Sequence, residues 1–113
     1  MNSISEMNLS ELQSRALRAS GLLKAMSNPV RLLVLCQLAE SEKSVGELER
    51  VVDVSQSALS QHLALLRSRG LVRFRREGQT LYYSLAGPEA PTLLAALYQI
   101  YCRKPTRRAL APA

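Results

Sequence analysis

SQSALSQHLALLRSRGLVRFRREGQTLYYSL, residues 55–85, changes its hydrophobic period halfway along. In its first half Leu59, Leu63 and Leu66 recur at helical spacing and form one stripe of a helix. Ser55 stands where a helix N-cap is needed, and Gly70 can take the left-handed conformation that closes the other end. Beyond Gly70 the period falls to two. Val72 and Phe74 alternate with Arg73 and Arg75, and Leu81, Tyr83 and Leu85 alternate after Glu77-Gly78-Gln79. This predicts a two-stranded hairpin with Val72, Phe74, Leu81 and Tyr83 facing inward.

Upstream, Ser44-Val45-Gly46-Glu47 has the form of a capping box, in which the serine and glutamate side chains satisfy each other's free backbone donors. A short helix over about 45–51 follows, and Val52-Asp53-Val54 breaks it before Ser55. Further out, Leu9, Leu12, Ala16, Ala19 and Leu23 predict a first helix over 9–26, ended by Ser27-Asn28-Pro29. Asn28 caps a second helix that starts on Pro29, where a missing backbone donor costs nothing, and runs to about Glu40. Its sequence is apolar nearly all round, which places it centrally in the core. A last helix starts near Pro88 or Pro91 and continues through LLAALYQIYC, and Pro105 forbids its extension.

The fold class is mainly α with a small β-hairpin: five helices and two strands in one domain over residues 1–113. The core spans about 9–102, and the basic tail 103–113 is expected to be flexible. With 113 residues there is room for one hydrophobic core, and 47% hydrophobic with 21% charged residues is a globular composition. The chain contains no run of about 18 or more apolar residues and no basic flank leading into an apolar start, so a cytoplasmic location is expected. A chain of this size buries only about two thirds of its unfolded surface. The surplus Leu and Ala residues therefore point to a partner subunit.

Fifteen Lys and Arg against nine Asp and Glu give a net charge of +6, which favours a polyanionic partner. The excess is clustered: Arg67, Arg69, Arg73, Arg75 and Arg76 face only Glu77, and Arg103, Lys104, Arg107 and Arg108 crowd the tail. A helix, a short turn, a second helix and a hairpin form the supersecondary unit that reads DNA. On the second helix of that unit Ser57, Ser60, Gln61, Ala64 and Ser68 form the stripe opposite the leucines, and no acid occurs from Ser55 to Gly70. Small neutral residues allow close approach to a polyanion. Ser55, Gln56, Ser57, Ser60 and Gln61 can donate to phosphates or base edges, and a glutamine can bond two ways to adenine. The bland alternative, a solvated face, ordinarily carries Glu and Lys. His62 at the flank fits a structural or phosphate-contacting group better than a metal ligand, since the chain holds no second histidine. Arg67 at the end of the helix is a further candidate DNA contact. Arg75, Arg76 and Gln79 surround the hairpin tip, which is either a minor-groove or backbone reader or simply a soluble loop.

LLKAMSNPVRLLVL (22–35), SVGELERVVDVSQSALSQHLALLRSRGLVRFRREGQTLYYSL (44–85) and the closing helix to Cys102 together resemble the ArsR/SmtB family of winged helix-turn-helix repressors. The resemblance covers roughly residues 16–102. It implies a homodimer joined through the first and last helices, with each subunit placing the helix after Ser55 in successive major grooves of a palindromic operator. Many members bind metal through Cys-x-Cys, but those positions here are Ser44 and Gly46. Others use Asp, His and Glu on the last helix, and residues 91–102 contain none of these. No metal and no cofactor are therefore expected. Cys36 in the second helix and Cys102 at the end of the last match the BigR/HlyU-type branch of the family, in which two such cysteines sense persulfides or oxidants.

Three readings stay open. The first is a dimeric repressor released from DNA when reactive sulfur species or oxidants modify the Cys36–Cys102 pair. The second is the same DNA-binding module with structural cysteines and a different effector or protein partner, Cys36 being an inert thiol in an apolar helix. The third, a thiol oxidoreductase or sulfurtransferase, lacks a Cys-x-x-Cys motif, an acid–base pair and a phosphate loop.

Overall fold

The computed structural model describes residues 6–103. The elements run α1 (Leu9–Met26), α2 (Pro29–Glu40), β1 (Lys43–Ser44), α3 (Val45–Glu49), α4 (Gln56–Ser68), β2 (Val72–Glu77), β3 (Thr80–Leu85) and α5 (Glu89–Leu97), and a π-helical turn over Tyr98–Cys102 continues α5. Local chemistry sets these boundaries. Asn8 and Glu11 make a capping box for α1, and Ser44 and Glu47 make one for α3. The Asn28 side chain accepts from the Arg31 amide at 3.0 Å, with Pro29 in the first turn of α2. Ser55 Oγ accepts from the Ala58 amide at 3.1 Å and opens α4. Gly70, with φ 73°, reverses the chain after α4.

Leu48, Leu59, Leu63, Leu66 and Val72 are almost wholly buried, together with Val34 and Leu35 of α2. This core fixes α3, α4 and the root of the hairpin as one body. Burying each of those leucines contributes about 1.5–3 kcal/mol. The hairpin is antiparallel, with Val72 opposite Leu85 and Phe74 opposite Tyr83.

The structure departs from the sequence reading in five places. The hairpin gains a third strand, because β1 pairs with β3 through Lys43 opposite Tyr83 and Ser44 opposite Tyr82, giving the sheet order β1-β3-β2. The third helix ends at Glu49, the Arg50 amide closing onto Glu47 and Leu48 carbonyls. The last helix widens at Tyr98, and the Arg103 amide bonds the Tyr98 carbonyl at 2.9 Å. Phe74 shares the inward side with Val72 and Tyr83 but is not buried: it is 36% exposed, its ring against Tyr83 at 5.5 Å with the Arg67 guanidinium over it at 4.8 Å. Finally, α2 is central on one side only. Val34, Leu35 and Leu38 are buried, whereas Leu33 and Cys36 face outward.

Only Ala25 and Met26 of α1 are buried, while Leu9 and Leu17 are 68% and 76% exposed. At the other end Ile100 and Tyr101 are 68% and 79% exposed. The radius of gyration is 17.1 Å, against about 13 Å for a domain of this length folded on itself. Both α1 and the turn that continues α5 thus present apolar side chains that no described part of the same chain covers. No described helix is long and apolar enough to cross a membrane. Lys104, Arg107 and Arg108 of the basic tail lie outside the described residues.

Candidate nucleic-acid interface and thiol cavity

The inward leucines orient α4 so that Gln56, Ser57, Ser60, Gln61, Ala64 and Ser68 are exposed together. Two hydroxyls of this region already have local work. Ser55 Oγ caps the helix and lies 3.3 Å from Ser57 Oγ, and Ser68 Oγ donates to the Leu65 carbonyl at 2.7 Å. The amides of Gln56 and Gln61 and the hydroxyl of Ser60 belong to the solvent-facing side. His62 is half-buried beside this face, with Arg31 Nη1 3.2 Å from its Nδ1. Partial burial, and then the charge of Arg31, hold His62 below the ordinary histidine pKa.

At the hairpin the predicted residues separate. Arg76 and Gln79 are exposed around the turn, where Gly78 has φ 63°. Arg75 is engaged elsewhere. Its Nε and Nη2 donate to the two carboxylate oxygens of Glu42, both at 2.9 Å, and Nη1 reaches Glu77 at 3.2 Å. The same guanidinium lies over the Tyr82 ring at 4.6 Å. The bond from Arg75 holds the Glu42 carboxyl below its usual pKa, and the Arg75 pKa is raised by the same bond. This bidentate pair braces the hairpin to the loop after α2. Sequence reasoning missed Glu42, since 33 residues separate the partners and no local pattern links them. Arg67 stacks on Phe74, and Arg73 Nε donates to Ser84 Oγ at 3.3 Å, so two more arginines have partners on the sheet.

Cys36 and Cys102 line one cavity of about 570 Å³ between α2 and the end of the chain's last helix. Leu32, Leu94, Leu97 and Tyr98 supply apolar walls, and Glu40 lies at its edge. Both thiols are free and exposed. Partial burial pushes the Cys36 thiol up, and the neighbouring Cys102 adds to the effect. The π-helical turn carries Tyr98, Tyr101 and Cys102 of this wall. Among the described residues no group of three or more His, Cys, Asp or Glu side chains gathers as a metal site requires.

The capped α4 with its neutral outward face, a short helix packed behind it and a braced hairpin beside it define a winged helix-turn-helix fold, the architecture of many DNA-binding regulators of transcription. The chain belongs to the ArsR family, since residues 28–73 match the model described as "Bacterial regulatory protein, arsR family" and near full-length relatives align with it. It is 48% identical over 97 residues to the transcriptional activator HlyU of Vibrio cholerae serotype O1, covering 86% of this chain and 90% of that one. It is 44% identical over 99 residues to the biofilm growth-associated repressor of Agrobacterium fabrum, covering 88% and 85%. The solved structure of reduced HlyU from Vibrio cholerae N16961 matches with a TM-score of 0.80 at 47% identity, over 84% of this chain and 100% of that one. These relatives are transcriptional regulators, and this chain is a regulator of the same kind rather than an enzyme.

Proposed function

We propose that the protein is a homodimeric repressor, acting in the cytoplasm, whose grip on a palindromic operator is released when Cys36 and Cys102 become covalently bridged. The observation that carries this reading is the meeting of the two thiols, from the second and last helices, at one apolar-walled cavity. The exposed faces of α1 and α5 support the dimer, since a partner's matching faces would cover Leu9, Leu17 and Tyr101. In the dimer each α4 lies in a major groove, with Gln56, Ser57, Ser60 and Gln61 at base edges and phosphates. Arg76 and Gln79 reach the flanking backbone or minor groove.

The chemistry balances with a persulfide as oxidant. One thiolate takes the sulfane sulfur of R–S–SH and releases R–SH, forming a cysteine persulfide. The second thiolate then attacks the inner sulfur and expels hydrogen sulfide, so two thiols and one persulfide become a disulfide, one thiol and one hydrogen sulfide. Two electrons pass from the cysteines to the sulfane sulfur. Such a bridge ties α2 to the end of the helix that joins the subunits.

Operator binding by the reduced dimer, before and after a persulfide donor, tests this. Wild type should be released and should rebind after reductant, while Cys36→Ser and Cys102→Ser should each stay bound. A swing from 1:99 to 99:1 requires about 5.5 kcal/mol of discrimination between the two states. Release of either single mutant by the donor excludes a two-cysteine bridge. The rival reading, structural cysteines with another effector, draws on the raised Cys36 pKa, and it predicts a wild type that takes up no crosslink by mass spectrometry and stays on DNA.

A further inference from the structure

We propose that Arg31 is a positioning residue for DNA binding, holding His62 as the tautomer whose outer nitrogen donates a hydrogen bond to a backbone phosphate beside α4. The inference rests on the reading of α4 as the recognition helix and adds a residue that its exposed face does not reveal. Arginine has five donors and no acceptor. The ring nitrogen that meets Arg31 Nη1 at 3.2 Å, Nδ1 of His62, must therefore present its lone pair. In the neutral ring the proton then sits on Nε2. The direction of the His62 pKa, downward from burial and from Arg31, favours that neutral ring.

Arg31 is itself fixed. Its Nε donates to the Ala25 carbonyl at 2.6 Å and Nη2 to the Lys24 carbonyl at 3.4 Å. Those carbonyls lie in the last turn of α1, where that of Lys24 also accepts from the Ser27 amide at 3.2 Å and where the negative end of the helix dipole attracts a cation. One half-buried guanidinium thus joins the end of α1, the first turn of α2 and the flank of α4. The charged group acting on His62 is Arg31 from α2; α1 presents only backbone carbonyls there, and α4 contributes no acid. Arg31 also lies on the helix that carries Cys36. A shift of α2 at the thiol cavity therefore reaches the flank of α4 through this side chain, beside the core that the two helices share.

The first test is nitrogen-15 NMR of the His62 imidazole in the reduced, DNA-free wild type at neutral pH. The expected spectrum shows Nδ1 unprotonated and Nε2 protonated, and Arg31→Gln should convert it to a mixture. A dominant Nδ1–H form in the wild type overturns the proposal. The second test is operator affinity for Arg31→Lys, His62→Ala and the double variant, with thermal melting to confirm folding. Arg31→Lys keeps the charge and loses the fork. It should lower affinity about tenfold, the size of one lost hydrogen bond, with the salt dependence unchanged. His62→Ala should match it, and the double variant should be no weaker than His62→Ala alone. Additive losses, or full affinity in Arg31→Lys with a shallower salt dependence in Arg31→Gln, would make Arg31 a direct phosphate ligand and defeat the proposal. Failure of the wild type to bind any promoter duplex would defeat the recognition-helix reading instead, and the NMR spectrum separates that failure from this one.

Discussion

The two halves of this molecule solve the problem of apolar surface in opposite ways. From Ser44 to Leu85 most leucines turn inward: Leu48, Leu59 and Leu66 are fully buried, Leu65 is exposed, and the opposite side of α4 carries a polar, solvent-facing stripe. In α1 and the end of α5, Leu9, Leu17, Leu23, Tyr98, Ile100 and Tyr101 stay exposed. The first half completes its own core, while the second leaves apolar surface that no described part of the chain covers, as the proposed dimer requires. A regulator needs both. In the proposed dimer the head from Ser44 to Leu85 keeps its shape whatever the arms do, and the arms set where the two heads stand relative to one another.

Substitutions in the two halves should separate these roles, the largest effect coming first. Leu63→Ala opens a cavity behind α4 and should cost about 2–5 kcal/mol of folding stability, read by denaturant unfolding. Leu17→Glu, on the exposed face of α1, should leave secondary structure in place but dissociate the dimer in sedimentation experiments. If Leu17→Glu instead unfolds the chain while Leu63→Ala spares it, the division into a self-supporting head and dependent arms is wrong.

A finer cut lies within the head. Gln61→Ala removes an exposed amide from the solvent-facing side of α4, so its effect should appear only on DNA. The cognate operator should lose about 1–3 kcal/mol relative to random duplex, the value of a bidentate base contact. Arg76→Ala should weaken both duplexes alike and make binding less sensitive to salt. Equal losses on cognate and random DNA for Gln61→Ala would move base reading away from this face.

How far each half could be read in advance follows from the range of the interactions that shape it. Asn28-Pro29, Ser44 with Glu47, and Ser55 act within three or four residues, so the starts of α2, α3 and α4 were legible. The leucine stripe of α4 and the alternation on either side of Gly78 were equally local. What escaped is long-range. β1 is two residues long and exists because Lys43 and Ser44 meet Tyr83 and Tyr82 across the chain. In the sequence Arg75 is one more basic residue of the hairpin tip, since only the fold sets Glu42 beside it, and Arg31 carries no sequence signal for its contact with His62. The apolar character of α2 was legible, but which side of it stays open was not, because that depends on where α5 lies. The two cysteines could be singled out as residues, whereas their shared cavity needed the fold.

The smallest expected effect concerns the brace between head and frame. Glu42→Gln removes the carboxylate that accepts two bonds from Arg75, both at 2.9 Å, yet both partners are well exposed to solvent, so screening keeps the stabilisation small. Folding stability should hardly change. The hairpin should instead become more mobile, and slower relaxation probes of β2 and β3 should report it. Acid should act in the same direction, because the Glu42 pKa is lowered in the folded protein. The stabilisation is fully present above the unfolded carboxylate value and is lost as pH falls through the folded one. Freed from Glu42, Arg75 becomes available to phosphate, so Glu42→Gln should bind random DNA slightly more tightly and with a steeper salt dependence than wild type. An unchanged salt dependence, with an unchanged hairpin, would show that Arg75 is held by Glu77 and Tyr82 without help from Glu42.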